Sequence, residues 1–320
     1  MKNQQPNLSR RSFLGQAAVS AAIGAWHPFS WSFPPQKASV SLAQMRAGAA
    51  SAKITTLPLR NGLTTLMGSG GNIIVLPGHD GKLLIDSGIA TSQPQLTEAL
   101  NAISKDPLRH LVDTHWHFDH TDGNEWVHAA GAEITAQGNT RKRLSTEQNI
   151  PAFDAVFPPS PAGAIPKVVF RDSHKMDWNG ESLSLKHYAP AHTDSDISVF
   201  FKKANVLHTG DTFFNGVYPF IDYDSGGNVA GMIAATKENL SLSDAKTIVV
   251  PGHGPVGNRQ SVADFGEMLS TIYHTVAALT KAGRSLEEVV AAKPTAKFDA
   301  KWAGGFITPE LITRLVYRGT

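Results

Sequence analysis

The chain contains no cysteine among its 320 residues. That removes disulfides, thiolate metal ligands and cysteine nucleophiles together, so any metal must be held by histidine or carboxylate. Charged residues make up only 18% of the sequence, and beyond the N-terminus no basic stripe offers nucleic acid an electrostatic footprint. The sequence also lacks an apolar run of the roughly 20 residues that cross a bilayer. Its nearest approach, Phe13 to Trp26, is shorter and only weakly apolar. No H-E-x-x-H pair is present, which leaves helical zinc proteolysis without support. What is there, 41% hydrophobic residues and 28 glycines, suffices for one large globular domain with a substantial core.

The basic residues of the N-terminus have their own pattern. "LSRRSFLG" sets Arg10 and Arg11 ahead of Phe13 and Leu14, and a short apolar run and a small-residue stretch follow. This order looks like a twin-arginine export signal. The expected organisation is a signal over residues 1–43 and a single domain over 44–320, with a cut after Ala43 and a second candidate cut after Ala49. The four positive charges of the signal account for the formal +2 of the chain, leaving −2 in the exported form. A soluble periplasmic or otherwise exported protein is expected, without stable membrane insertion.

Short strands are expected at "KITTLPL", "NIIVLPG" and "KLLIDSG", the last two joined by a turn around His79 to Gly81. "SQPQLTEALNAIS" has helical spacing and "RHLVDT" returns to strand. A comparable pattern recurs later: "ESLSLKHYAP", "DISVFF", "NVLHTGD" and "KTIVVPGHG" read as strands and "VAGMIAATKENLSL" as a helix. "FPPSPAGAIP" is an expected exposed loop, and the C-terminal third carries long helical periodicity. Two β-rich halves with helices outside imply sheet packed on sheet between helical layers.

The stretch "THWHFDH", Thr114 to His120, gathers three histidines and an aspartate just past a strand end. His115 and His117, two apart, share a direction in an extended loop and would diverge on a helix. Asp119 and His120 follow at once and can face a second metal position. One short loop cannot wrap two ions, and three later strand ends each offer a donor: His192 in "PAHTDSD", Asp211 in "HTGDTFF" and His253 in "PGHGP".

These motifs, preceded by "LLIDSG", resemble the metallo-β-lactamase superfamily, from about Ile54 to His253. The resemblance implies an α/β fold, the αββα four-layer sandwich, with metals at one edge of the two sheets. It implies that His115, His117 and His192 hold one divalent ion, that Asp119, His120 and His253 hold another, and that Asp211 bridges them. Asp86 in "IDSG" resembles the family's buried aspartate that orients the metal-binding loops. Zinc is the expected metal, with iron or manganese as alternatives. Two divalent charges would bring the pKa of a held water near neutrality and so supply hydroxide for hydrolysis of an ester, lactone, thioester or amide. Asp119 is the expected catalytic residue, orienting the nucleophile and relaying a proton.

For a small-molecule substrate the signals thin out. Penicillin-hydrolysing relatives carry Cys or Ser where this chain has Asp211, whereas a carboxylate there resembles glyoxalase II-like thioesterases and lactonases. The stretch "FFNGVYPFIDYDSGG" offers an aromatic wall from Phe213, Phe214 and Phe220, with Tyr218 or Tyr223 as oxyanion donors, and Trp116 is expected to face the substrate. β-Lactamase activity proper and a mono-iron oxidoreductase resembling persulfide dioxygenases stand as alternatives, as does a non-catalytic metal-binding module. Flavodiiron relatives carry glutamate where His117 stands. His208, alternating with the ligand side of its strand, is read as structural.

Overall fold

The computed structural model describes residues 41–320; the arginine pair and the rest of the expected signal lie outside the described residues. The first sheet runs in the order β1 (Thr55–Pro58), β2 (Thr64–Met67), β3 (Ile73–Leu76), β4 (Lys82–Ile85), β5 (Leu108–Val112), β6 (Glu133–Gln137) and β9 (Val168–Phe170). A small separate hairpin, β7 (Gln148–Ile150) and β8 (Ala155–Phe157), interrupts the chain order between β6 and β9. The second sheet is β10 (Ser173–Trp178), β11 (Glu181–His187), β12 (Ile197–Phe201), β13 (Val206–His208), β14 (Ile248–Val250) and β15 (Gly257–Asn258). Helices are α1 (Leu42–Ser51), α2 (Gln93–Ile103), α3 (Phe118–Thr121), α4 (Asn124–Ala129) and α5 (Gly138–Leu144) in the first half. The second half adds α6 (Val229–Leu242), α7 (Arg259–Lys281), α8 (Leu286–Ala291), α9 (Asp299–Trp302) and α10 (Pro309–Arg318).

The inner strands β3 and β4 are buried on both faces and read as continuous apolar runs for that reason, whereas the edge strands β1 and β10 are exposed. Ile74 and Leu76 of β3 and Leu83 and Ile85 of β4 point between the sheets, against Leu183, Leu185, Ile197, Val199 and Phe201. The alternate residues Ile73, Val75 and Leu84 face Leu96 and Leu100 of α2 and Val127 of α4. On the far side Val249 packs with Met232 of α6 and with Phe265, Leu269 and Ile272 of α7. Three apolar layers thus separate helix, sheet, sheet and helix. This is the four-layer αββα arrangement expected from the sequence.

The inner strands fix where chemistry can occur. β4, β5 and β6 are parallel, as are β13 and β14, so the chain leaves β5, β13 and β14 at one edge of the sandwich. The segments carrying His115, Asp211 and His253 all begin there.

The expected domain boundary between residues 43 and 44 falls in the first turn of α1, and the Ala49 alternative falls in its last turn. This helix opens on a capping box in which the Ser41 hydroxyl accepts from the Gln44 N–H and the Gln44 side chain accepts from the Ser41 N–H. A cut after Ala43 would strip that cap.

Candidate metal centre

His115 sits in the loop leaving β5, and His117 immediately precedes α3, whose first turn then carries Asp119 and His120. His192 lies in the loop between β11 and β12, Asp211 in a 3-10 turn after β13, and His253 in the turn after β14. The structure brings all seven together. Donor atoms of His115, His117 and His192 lie within 4.8 Å of one another, as do those of Asp119, His120 and His253, and those of His115, His120 and Asp211. Asp211 stands between the two sets: its Oδ2 is 3.5 Å from His192 Nε2 and 3.3 Å from His253 Nε2, and its Oδ1 is 3.1 Å from His120 Nε2.

The outward nitrogens decide what the inward ones offer. His192 Nδ1 donates to the Phe220 carbonyl at 2.9 Å, which leaves Nε2 as a lone pair. His117 Nε2 donates to Asp222 Oδ2 at 2.9 Å, leaving Nδ1 bare, and His120 Nδ1 donates to Asp86 Oδ2 at 2.7 Å, aiming Nε2 at Asp211 Oδ1 3.1 Å away. The Thr114 hydroxyl proton goes to Asp86, so His115 Nδ1 is the donor in its 3.1 Å contact with Thr114, and His115 Nε2 is buried with no hydrogen-bond partner. These tautomers are assigned from the hydrogen-bond network. Two lone pairs, His192 Nε2 and His117 Nδ1, converge to 2.8 Å. Two lone pairs that close repel each other unless a cation draws on both, so the donor set fits a metal.

The local field has the same preference. Burial holds His115 well below the ordinary imidazole range and lowers His192 too, so both present neutral nitrogens. At the second set burial works against charge, but Asp211 and Asp119 outweigh it and push His253 up to about 9. Asp119 is likewise opposed by burial, yet His120 and His253 hold its carboxyl at about 2. A position that draws a proton this strongly draws a divalent cation as well.

Asp86 lies behind the donor cluster, between the β4 exit and the histidine loop. In a left-handed conformation (φ 65°), it accepts from the Thr114 N–H at 2.7 Å, the Thr114 hydroxyl at 2.8 Å and His120 Nδ1. It thereby ties the β4 exit to the histidine loop. His208 joins the sheets as expected: Nε2 donates to the Asn72 carbonyl, and Nδ1 accepts from the Gly210 N–H beside Asp211.

Three expected substrate contacts fall elsewhere. Trp116 is buried, packing edge-on against Phe157 and His117. Tyr218 is buried in the helical-side core, its hydroxyl donating to Asp299 Oδ1 at 2.8 Å, so it has no proton to offer an oxyanion. Tyr223 packs at the periphery of that core with the Arg318 guanidinium 5.0 Å from its ring centre. None of the three lines the cavity above the donor cluster. Phe214 and Phe220 do, with Phe118, Phe153 and Phe306, around a volume of about 300 Å³.

Asp222 was not singled out by sequence reasoning. Besides holding His117, its Oδ1 accepts from the N–H groups of Asp224 and Ser225, so a local turn fixes the carboxylate. Nothing in "FIDYDSGG" distinguishes it, since its partner lies 105 residues away. Replacing Asp222 by Ala is expected to weaken metal affinity about 10–100-fold. Zinc titration against a competing chelator checks this, and unchanged affinity would remove the orienting role. Gly71 and Gly252 also passed unnoticed. A Cβ on Gly71 would collide with the His120 ring, and one on Gly252 with Asp211 Oδ1. The backbone forms part of the floor of the centre.

The sequence model described as Metallo-beta-lactamase superfamily matches residues 66–253, more than half of the chain. A hydroxyacylglutathione hydrolase of Rhodospirillum rubrum is 27% identical over 168 residues, 51% of this chain and 56% of that protein. An uncharacterized protein of Mycobacterium bovis is 30% identical over 89 residues, 26% of this chain and 39% of its own. The chain thus spans about half the length, or less, of these relatives. Among solved structures, a metallo-beta-lactamase from Pontibacter korlensis superposes with a TM-score of 0.57 at 18% identity, covering 68% of this chain and 99% of that one. A stereoselective inverting sec-alkylsulfatase from Pseudomonas sp. gives 0.63 at 16% identity, over 88% and 53%.

Proposed function

The chain belongs to the metallo-β-lactamase superfamily, and from that premise we propose that it is an exported dinuclear metal hydrolase, zinc-loaded, acting on a small-molecule ester, lactone, thioester or amide. One observation carries the reading: donors from four separate chain segments converge with their lone pairs inward at the base of an open, mostly apolar cavity. When bound, a pair of divalent ions supplies a nucleophile at neutral pH and polarises the acyl oxygen.

The residues do the rest. His117 and His120, each held from behind by a carboxylate, stay fixed in one tautomer and orientation, so the donor set needs little reorganisation. Asp119, with its side chain 19% exposed, faces the cavity as an acceptor, suited to orienting the nucleophile and passing its proton on. Phe118, Phe214 and Phe220 exclude water around the cluster.

Asp211 supports the hydrolase of thioesters or lactones over penicillin hydrolysis, and the R. rubrum relative bears a thioesterase name. Export rests on Arg10 and Arg11 and the apolar run behind them. Among the described residues no helix is long and apolar enough to cross a membrane. The test is metal content by mass spectrometry together with turnover on lactone, thioester, ester and β-lactam panels. Two zinc ions per chain and turnover of at least one acyl class are expected. A single redox-active iron with oxygen uptake, or a full complement of metal without any turnover, would overturn the reading.

A further inference from the structure

Helix α1 belongs to the cavity. Met45, Gly48 and Ala49, at i, i+3 and i+4 on α1, line the same space as His117, Asp119, Asp211 and His253. A ten-residue helix of this composition has little stability of its own, so its order comes from docking. Arg46 Nη2 donates to Asp122 Oδ1 at 2.8 Å, and Asp122 Oδ2 accepts from the Ala90 N–H at 3.0 Å. The Thr91 hydroxyl donates to the Arg46 carbonyl at 2.7 Å, and Gln95 Nε2 donates to the Ala50 carbonyl at 2.6 Å. Asp122 ends the helix that carries Asp119 and His120, so α1 is fastened to the metal loop itself.

The charge of the walls is one-sided. Among the described residues no Lys or Arg lines the cavity; Arg46, the cation on α1, is turned away into its pair with Asp122. Above the donor cluster the lining is Met45, Ala49, Ile89, Ile150, Phe153 and Phe306. A carboxylate or sulfate held among those apolar side chains, away from the donor cluster, would find no cationic side chain of the described residues to pair with and would lose hydration. An uncharged chain of methylenes instead gains with each one buried.

We propose that α1 is the selectivity wall of the site, with Met45 and Ala49 as specificity-determining residues that receive the far end of an uncharged, apolar acyl chain whose reacting carbonyl lies over the donor cluster. The proposal rests on the hydrolase reading above, and its substrate is a neutral medium-chain ester or lactone. Ala49 is buried and small, which keeps the slot open at its end. Processing after Ala49 would remove the wall.

The test uses the full chain, metal-loaded, with 4-nitrophenyl acetate, octanoate and dodecanoate. The wild type is expected to favour octanoate over acetate at least tenfold in kcat/KM. Ala49→Trp should cut that octanoate-to-acetate ratio at least tenfold. Met45→Ala, which deletes volume and spares the fold, should raise the dodecanoate-to-octanoate ratio at least threefold. Absence of chain preference in the wild type, or ratios within twofold of wild type in Met45→Ala, would overturn the proposal. Calorimetry with octan-1-ol separates the two readings. If no ester turns over yet octanol binds and Met45→Ala shifts its affinity at least threefold, the wall stands and the hydrolase reading falls. If octanol does not bind, the wall falls whatever the esters do.

Discussion

Stripping divalent metal from the full chain is expected to lower its Tm by roughly 10 °C, and added zinc to restore it. The magnitude follows from linkage. Ligand at about 1,000 times its Kd stabilises the native state by about 4 kcal/mol, and at this chain length each kcal/mol moves Tm by about 2–4 °C. The sign follows from the donors. His115 Nε2 is buried with nothing to accept, and His192 Nε2 and His117 Nδ1 face each other at 2.8 Å. Without a cation those contacts are repulsive, and the repulsion falls where the β5 exit meets the β11–β12 loop. Scanning fluorimetry with and without a picolinate-type chelator reads the effect directly. A Tm that moves by less than a degree, in protein whose metal loss has been verified, would show that the cluster is satisfied without an ion.

The same contacts show which parts of the centre the sequence could disclose. Four of the seven donors were legible because they fall within six residues, His115 to His120, where spacing alone forces them together. His192, Asp211 and His253 were legible because each follows an apolar run and precedes or adjoins a turn-forming residue. Their meeting needed the parallel pairing of β13 with β14 and the packing of one sheet on the other. The strands buried on both faces announced themselves as unbroken apolar stretches, whereas β2, β6 and the exposed β10 were too short or too mixed to stand out.

What stayed hidden depends on contacts through space. Asp222 serves a histidine 105 residues away, and Gly71 and Gly252 matter for the side chains that pass over them. Aromatics in "FFNGVYPFIDYDSGG" could not be sorted between core and cavity by composition. Backbone direction sent Phe214 and Phe220 to the cavity and Tyr218 to Asp299. Helix α1 was masked by its own sequence, since "LAQMRAGAAS" fits the small-residue end of an export signal as readily as a docked helix.

Asp119→Ala is expected to lower kcat/KM by about 10²–10⁴-fold, or roughly 2.7–5.5 kcal/mol of lost transition-state stabilisation. Two roles meet in this side chain and the variant separates them. Its Oδ2 is 3.2 Å from His253 Nε2 and 3.8 Å from His120 Nε2, which places it among the second set of donors, and it also lines the substrate cavity. The fold should survive, because the tie from this residue to the β2–β3 loop is its backbone carbonyl, which accepts from the Gly71 N–H at 3.0 Å and is kept by alanine. Structural loss would therefore show as a lower Tm, ligand loss as a fall towards one metal per chain, and loss of nucleophile orientation as a lower kcat at full metal content. Full metal with kcat reduced at least a hundredfold is the result expected of a residue that orients the nucleophile. Wild-type kcat in Asp119→Ala would remove it from the chemistry altogether. A loss of activity that excess zinc restores would assign it to holding the ion alone.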